Sequence, residues 1–408
     1  MERSSNRYRW IVLGSIVISR VVYAISWFDI AASPLAIKKD FNVDLSALGP
    51  LASAFTIGVG LFQIPAGGIA ARWGAKKTAM FGLAIMSVAG VFSGVAPTFS
   101  LLILSRFLVG LGAAFFFAPA IGIITPMFNP KERGFVIGVY NGAFGIGAGI
   151  GLFGWALLDE IVGWRFGLMF AGILTAILAL ENHLVIRDTP PSQVARGSVR
   201  AVMRSKSIWF WGVGLLGFWG ALYTASSFLQ DFGETQLALT PFQAGLLSSS
   251  INFVAVLGGP IGGKLSDHFS MRKVFMLIPG VIFGFGIMTV GYLGLPSLWL
   301  VPAGLGFIDG FIFASLYASP SQLPEVGPQY APLAIGLING IQILGSFWIP
   351  IGFTGIAQSL GYSTAWVFLG VCALVFLPLV ALTKEPFRHK SNPPEKPEPP
   401  YESSVELA

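Results

Sequence analysis

Twelve stretches of about twenty mostly apolar residues, separated by short polar breaks, run through this chain and constrain its fold more than any other feature. In hydrocarbon every backbone N–H and C=O must find a partner without water, and runs of this length do so as α-helices. Of the 408 residues, 54% are hydrophobic and only 11% are charged, against about 25% charged in soluble domains. The mean hydropathy is +0.74. One soluble core could not hide so much apolar surface. Lipid is therefore the expected solvent, and the helices with their loops leave no room for a separate soluble domain.

The sequence places helices 1 to 6 at Trp10–Ala32, Leu48–Ala71, Thr78–Val95, Phe99–Thr125, Phe135–Leu158 and Phe166–Ile186. Helices 7 to 12 are expected at Ile208–Leu229, Phe242–Leu265, Val274–Leu295, Leu298–Ser319, Leu333–Gln358 and Thr364–Thr383. The first run follows a basic start, as a signal peptide does. It is long, however, and holds Arg20 and Asp29, so it is read as a retained helix. With the N-terminus in the cytoplasm, 20 of the 25 Lys and Arg fall on the cytoplasmic side. Three (Lys38, Lys39, Arg165) fall outside, and two (Arg20, Arg106) lie within helices. This asymmetry satisfies the positive-inside rule, and one miscounted helix would destroy it. The expectation is a multi-pass protein of the cell (plasma or inner) membrane with both termini cytoplasmic.

A polar, turn-rich linker at 187–207 divides the chain into an N-terminal six-helix unit (1–186) and a C-terminal one (208–383). The proline-rich, charged tail, 384–408, is expected to be disordered and cytoplasmic. The halves are weakly repeated. Gly138, Asn141 and Gly142 in helix 5 match Gly336, Asn339 and Gly340 in helix 11. Duplication of a six-helix unit leaves such a trace, which marks transporter folds.

Two cytoplasmic hairpins repeat as well. After helix 2 stand Gly67, Ala71, Arg72, Gly74, Lys76 and Lys77; after helix 8 stand Gly263, Asp267, His268, Arg272 and Lys273. Glycine allows a tight helical turn, and the carboxylate can meet a helix N-terminus or a neighbouring Arg. This pattern resembles the hairpin signature of the major facilitator superfamily. Arg106, Gly110 and Gly112 in helix 4, and the loop Asn129 to Gly134, are also similar to patterns of that superfamily. The resemblance covers the whole chain. It implies an all-α integral membrane fold, with twelve transmembrane helices in two pseudo-symmetric six-helix bundles. The hairpins would act on conformational change. Ala71 departs from the pattern where an acid is usual.

The single cysteine, Cys372, excludes an internal disulfide, and His183, His268 and His389 are too scattered for a metal site. No Gly-Lys-Ser/Thr phosphate loop occurs, which argues against ATP-driven transport. No cofactor and no nucleic-acid partner are expected, and the protein is expected to act as a monomer.

The buried charges are the most informative residues, because a charge at mid-bilayer costs about 2.5–3.5 kcal/mol even on a mild scale. Arg20 lies midway along helix 1, Arg106 in helix 4 and Asp309 midway along helix 10. Tyr23 and Trp27 follow Arg20 at i+3 and i+7 and share its face. Asp29 lies on the opposite face, about 13.5 Å further along, and cannot pair with Arg20. Arg20 with Tyr23 and Trp27 offers a cation, a hydroxyl and an aromatic wall to a solute. Asp309, alone among apolar residues, could load and release a proton, or it could be the partner of Arg20 or Arg106; Asp29 is the second proton-coupling candidate. Arg106, Asn141, Tyr223, Asn252 and Asn339 complete the candidate substrate lining, although each amide could merely bond across helices. In the superfamily that the motifs resemble, helices 1, 4, 7 and 10 line a central cavity, which agrees with where these charges fall.

The expected function is secondary transport of a small solute by alternating access, coupled to an ion gradient, with protons favoured. Arg20 favours an organic or inorganic anion. An exporter of hydrophobic compounds is the alternative, although helix 5 lacks the Gly-Pro pair usual in proton-antiporting drug exporters. A channel, or a membrane-embedded enzyme, fits the sequence less well.

Overall fold

The computed structural model describes residues 2–129, 132–188 and 202–386, and every regular element among them is helical. The middle of the linker and the tail from 387 lie outside the described residues. Twelve helices are long and apolar enough to cross a membrane. We number them as spans 1 to 6 (Arg7–Phe28, Leu45–Trp73, Ala75–Val95, Phe99–Met127, Phe135–Val162, Trp164–Val185) and spans 7 to 12 (Lys206–Gln236, Pro241–His268, Val274–Tyr292, Leu295–Gln322, Leu333–Leu360, Tyr362–Ala381). Large apolar side chains point outward around the bundle, among them Val88, Ile161, Leu184 and Leu300, each about three-quarters exposed. Water would reject such a surface and lipid accepts it.

Each expected helix is present, but several differ in detail. Span 1 ends at Phe28, and a separate short helix, Pro34–Phe41, follows it. Proline at its first position presets a helical φ. Span 7 is interrupted at Leu215, and span 11 at Ser346 and Phe347. Both breaks follow a glycine, Gly214 and Gly345, and the α-carbon of Gly345 sits against Leu216, so the two interruptions touch. Span 5 contains a π-helical turn at Ile150–Gly154, which includes Gly151 and Gly154.

Glycine decides the closest packing. An added Cβ on Gly110 of span 4 would strike the carbonyl of Phe55 in span 2. The same contact recurs 196 residues on, where Gly306 of span 10 meets the carbonyl of Ile251 in span 8. Small residues let backbones approach this closely in lipid, where packing, and not water exclusion, holds helices together.

Spans 1 to 6 pack among themselves, as do spans 7 to 12; span 2 packs on span 11, and span 5 on span 8. Hydrogen bonds between the two groups cluster at the end read as extracellular. There Ser53 donates to the Phe347 carbonyl, Ser249 to that of Gly149, and Gln230 to that of Ala32. Lys38 of the short helix pairs with the fully buried Asp231 of span 7 at 2.5 Å, and Asp231 also accepts from the Tyr362 hydroxyl.

Candidate functional site

Arg20 and Arg106 both lie inside the bundle, 5% and 2% exposed, yet their surroundings are opposite. Arg106 has a carboxylate. Its Nη2 lies 3.0 Å from Asp29 Oδ1, its Nη1 donates to Oδ2 at 3.3 Å, and Nη2 also donates to the Ser26 carbonyl. Asp29 can do this because it sits one residue past the last turn of span 1, at the depth where span 4 presents Arg106 after two turns of helix. The two form a fork-on-fork pair of the kind that neutralises a buried guanidinium.

Arg20 has none. No carboxylate lies within ion-pair distance of it among the described residues, and its Nε and Nη1 are buried without a hydrogen-bond partner. Four rings surround it. Its Cζ lies 4.3 Å from the centroid of Tyr23, 4.7 Å from Phe117, 4.8 Å from Phe144 and 4.9 Å from Tyr140. Ring faces carry partial negative charge and stabilise a desolvated cation, but they leave Nε and Nη1 without an acceptor. The Tyr140 hydroxyl donates to the Phe117 backbone carbonyl, which holds the Tyr140 ring in place.

Trp27, one helical face along from Arg20, closes the cage toward the end read as extracellular. It meets Tyr23 and Phe144 on one side, and Phe55, Trp219 and Tyr223 elsewhere, at centroid distances of 4.7–6.1 Å. Its indole N–H is also buried and unpartnered. Tyr223 stacks on Trp219 and donates to the Ala52 carbonyl.

The C-terminal spans contribute acid and amides. Asp309 is 7% exposed, and its Oδ1 lacks any hydrogen-bond partner. It pairs with neither arginine. Tyr317, two turns along span 10, lies within the electrostatic reach of both Arg20 and Asp309. Asn252 donates to Ser226 at 3.3 Å, joining spans 8 and 7. Asn141 is half-buried beside Tyr140, and Asn339 is buried in span 11. Gln63 and Gln342 are buried with both amide atoms unsatisfied.

The hairpins differ. Gly74 joins spans 2 and 3 at φ 90°, which favours glycine, whereas Gly67 has open space where a Cβ would be, so it serves no close approach. Arg72 and Lys77 are exposed, and Lys76 reaches Asp188 at 3.3 Å. Gly263 also has room, with Ala314 at ordinary contact distance. Asp267 accepts from Arg272, whose Nε donates to Gln322. Glu385 receives the backbone N–H groups of Arg272 and Lys273. Burial pushes the Arg272 guanidinium below its ordinary value, and Asp267 opposes that.

Sequence reasoning missed Phe117, Tyr140 and Phe144, which come to Arg20 from two other spans with no local signal. It also missed the junction of Lys38, Asp231 and Tyr362, although Lys38 stood out among the few basic residues assigned outside.

A family model described as Major Facilitator Superfamily matches residues 15–350. The chain is 27% identical over 367 residues to the nitrite extrusion protein of Bacillus subtilis (strain 168), covering 87% of this chain and 89% of that one. It is 26% identical over 378 residues to the probable nitrate transporter NarT of Staphylococcus aureus (strain MRSA252), covering 88% and 92%. A probable L-galactonate transporter of Escherichia coli (strain K12) is 24% identical over 293 residues, covering 65% and 64%. The fold is similar to that of a bacterial homolog of the human lysosomal transporter Spinster, solved inward-facing and unoccupied. The TM-score is 0.71 and the identity 19%, over 92% of this chain and 95% of that one.

Proposed function

This chain belongs to the Major Facilitator Superfamily of transporters, and from that premise we propose that it carries a small organic or inorganic anion by alternating access, with Arg20 as the substrate-binding cation and protons as the coupling ion. One observation carries the reading: at mid-membrane Arg20 is buried in a ring of four aromatic faces, with no carboxylate and with unused donors. A guanidinium so placed is incomplete until an anion arrives, and its planar fork matches a carboxylate or a trigonal oxyanion. The relatives named for nitrite, nitrate and L-galactonate support an anion.

Tyr23 and Trp27 line the site from the N-terminal spans, and Tyr223, Asn252, Asn339 and Asn141 border it. Asp309 is the proton carrier. Its carboxyl is not tied to an arginine, so protonation breaks no ion pair. Asp29, bound to Arg106, is the second candidate. The two six-span units rock about the central site, with the hairpins biasing that motion. Both termini and the linker face the cytoplasm, and the chain acts as a monomer.

Counterflow in proteoliposomes tests this directly. Radiolabelled anion should exchange saturably, which separates a carrier from a channel. Arg20→Lys keeps the charge but loses the fork, and affinity should fall by roughly ten- to a hundred-fold, the worth of a charge-assisted hydrogen bond of about 1.5–3 kcal/mol. Equal affinity in Arg20→Lys, or a neutral or cationic solute, overturns the anion reading. Asp309→Asn should abolish uphill accumulation and leave exchange intact. Loss of both assigns Asp309 a structural role instead.

A further inference from the structure

Arg106 does more than answer Asp29: it also forms part of a cavity wall. A small space opens among spans 1, 2, 4 and 7, bounded by Trp27, Leu51, Phe55, Arg106 and Tyr223 and roofed by Pro34 of the short helix. We propose that this cavity is a second anion subsite, on the side read as extracellular, with Arg106 as its anchor and the Pro34–Phe41 helix as its cover. The inference rests on the reading of this chain as an anion carrier and adds a loading site to it.

Three features point to an anion. The one ionised side chain on the wall is a cation, and the rest of the wall is mainly apolar. Arg106 also has donor capacity left. Nη1 and Nη2 serve Asp29 and the Ser26 carbonyl, while Nε makes no hydrogen bond among the described residues. Because Asp29 already neutralises part of this charge, the subsite holds an anion more weakly than Arg20 does, as a waiting position requires.

The third feature is alignment. Phe55 and Tyr223, which line the cavity, pack on Trp27. Tyr23 and Phe144, which face Arg20, pack on it too. Trp27 therefore packs on rings of both surroundings, that of Arg20 and that of Arg106. The roof is fastened across the bundle. Lys38, one turn beyond Pro34, reaches Asp231 on span 7. Release of that bond would uncover the cavity.

A cysteine reporter reads the cavity locally. With Cys372→Ser as background, Ser227→Cys places a thiol on the cavity wall. Sodium nitrate should slow its modification by a methanethiosulfonate reagent several-fold. The protection should survive Arg20→Gln and vanish in Arg106→Gln. It should vanish equally in Arg106→Gln/Asp29→Asn, which strands no buried carboxylate and guards against simple misfolding. Lys38→Met should speed modification by an impermeant reagent from outside. Protection that follows Arg20 instead of Arg106 overturns the subsite, and an unchanged rate in Lys38→Met overturns its cover. Nitrate counterflow in the same vesicles separates two failures. Exchange without protection overturns the subsite alone, whereas absence of both overturns the anion-carrier reading beneath it.

Discussion

Spans 4 and 10 are one packing solution used twice, with opposite chemistry. In each, a glycine lies against a backbone carbonyl of the neighbouring span: Gly110 on Phe55, and Gly306 on Ile251. Four residues before that glycine, span 4 has Arg106 and span 10 has Pro302. Three residues after it, span 10 has Asp309 and span 4 has Ala113. The scaffold positions stayed alike because the backbones leave no room for another choice. The charged positions diverged because each half presents a different group: a paired cation in one, an unpaired acid in the other. A duplicated fold keeps what packing demands and varies what faces the interior.

The largest expected effect breaks the N-terminal side of this comparison. Arg106→Gln leaves Asp29 buried without its partner, and Asp29→Asn does the converse. Removing one member of a buried pair costs about 3–5 kcal/mol. Intrinsic-fluorescence melting in detergent should show a large drop in Tm for either single variant and recovery of most of it in the double variant. Asp309→Asn removes no partner and should leave the Tm nearly unchanged. Equal destabilisation by Asp309→Asn would mean that Asp309 is paired after all and that the contrast is false. The shared part of the comparison can be tested as well. Gly110→Ala and Gly306→Ala each force a methyl against a carbonyl, and overpacking of this kind costs about 1–3 kcal/mol. The two should lower Tm by similar amounts. A tolerated Gly306→Ala would show that the C-terminal contact is looser than its counterpart.

Much of this architecture was legible because lipid allows few alternatives. Run length sets the helices, and all twelve expected ones are present. The same-helix geometry of Arg20 and Asp29 was legible too: a nine-residue separation puts them on opposite faces, and the structure gives Asp29 to Arg106. The choice of Arg106 was not legible, because that contact joins residues 77 apart. Nor was the aromatic cage. Phe117 and Tyr140 are ordinary helix residues until two other spans bring them to Arg20. The breaks in spans 7 and 11 did leave a signal, Gly214 and Gly345, but glycine is frequent throughout the chain, and only packing tells which glycines bend a helix.

The smallest expected effect lies at the hairpins, where the two halves resolve one turn differently. Gly74 sits at φ 90° and ψ 147°, and its counterpart 196 residues on, Ser270, sits at φ 53°. The first conformation is one that essentially only glycine adopts, since a Cβ would clash with the flanking backbone. The second is left-handed helical, which a small polar residue tolerates at a cost of roughly 1–2 kcal/mol. The substitutions should therefore be asymmetric. Gly74→Ser should destabilise by about 1–3 kcal/mol, the range for a residue held in a disfavoured region. Ser270→Gly relieves its strain but adds unfolded-state freedom that opposes folding by about 0.4–1 kcal/mol, so the net gain should stay below about 1 kcal/mol. Melting curves of the two variants measure both. The hairpin of span 8 is also fastened by Asp267, Arg272 and Glu385, whereas that of span 2 has Ala71 in place of the acid. Ser270→Gly should thus change stability without loosening the turn. If it instead destabilises as much as Gly74→Ser, the serine is held by contacts that outweigh its backbone strain, and the hairpins differ in more than their acid.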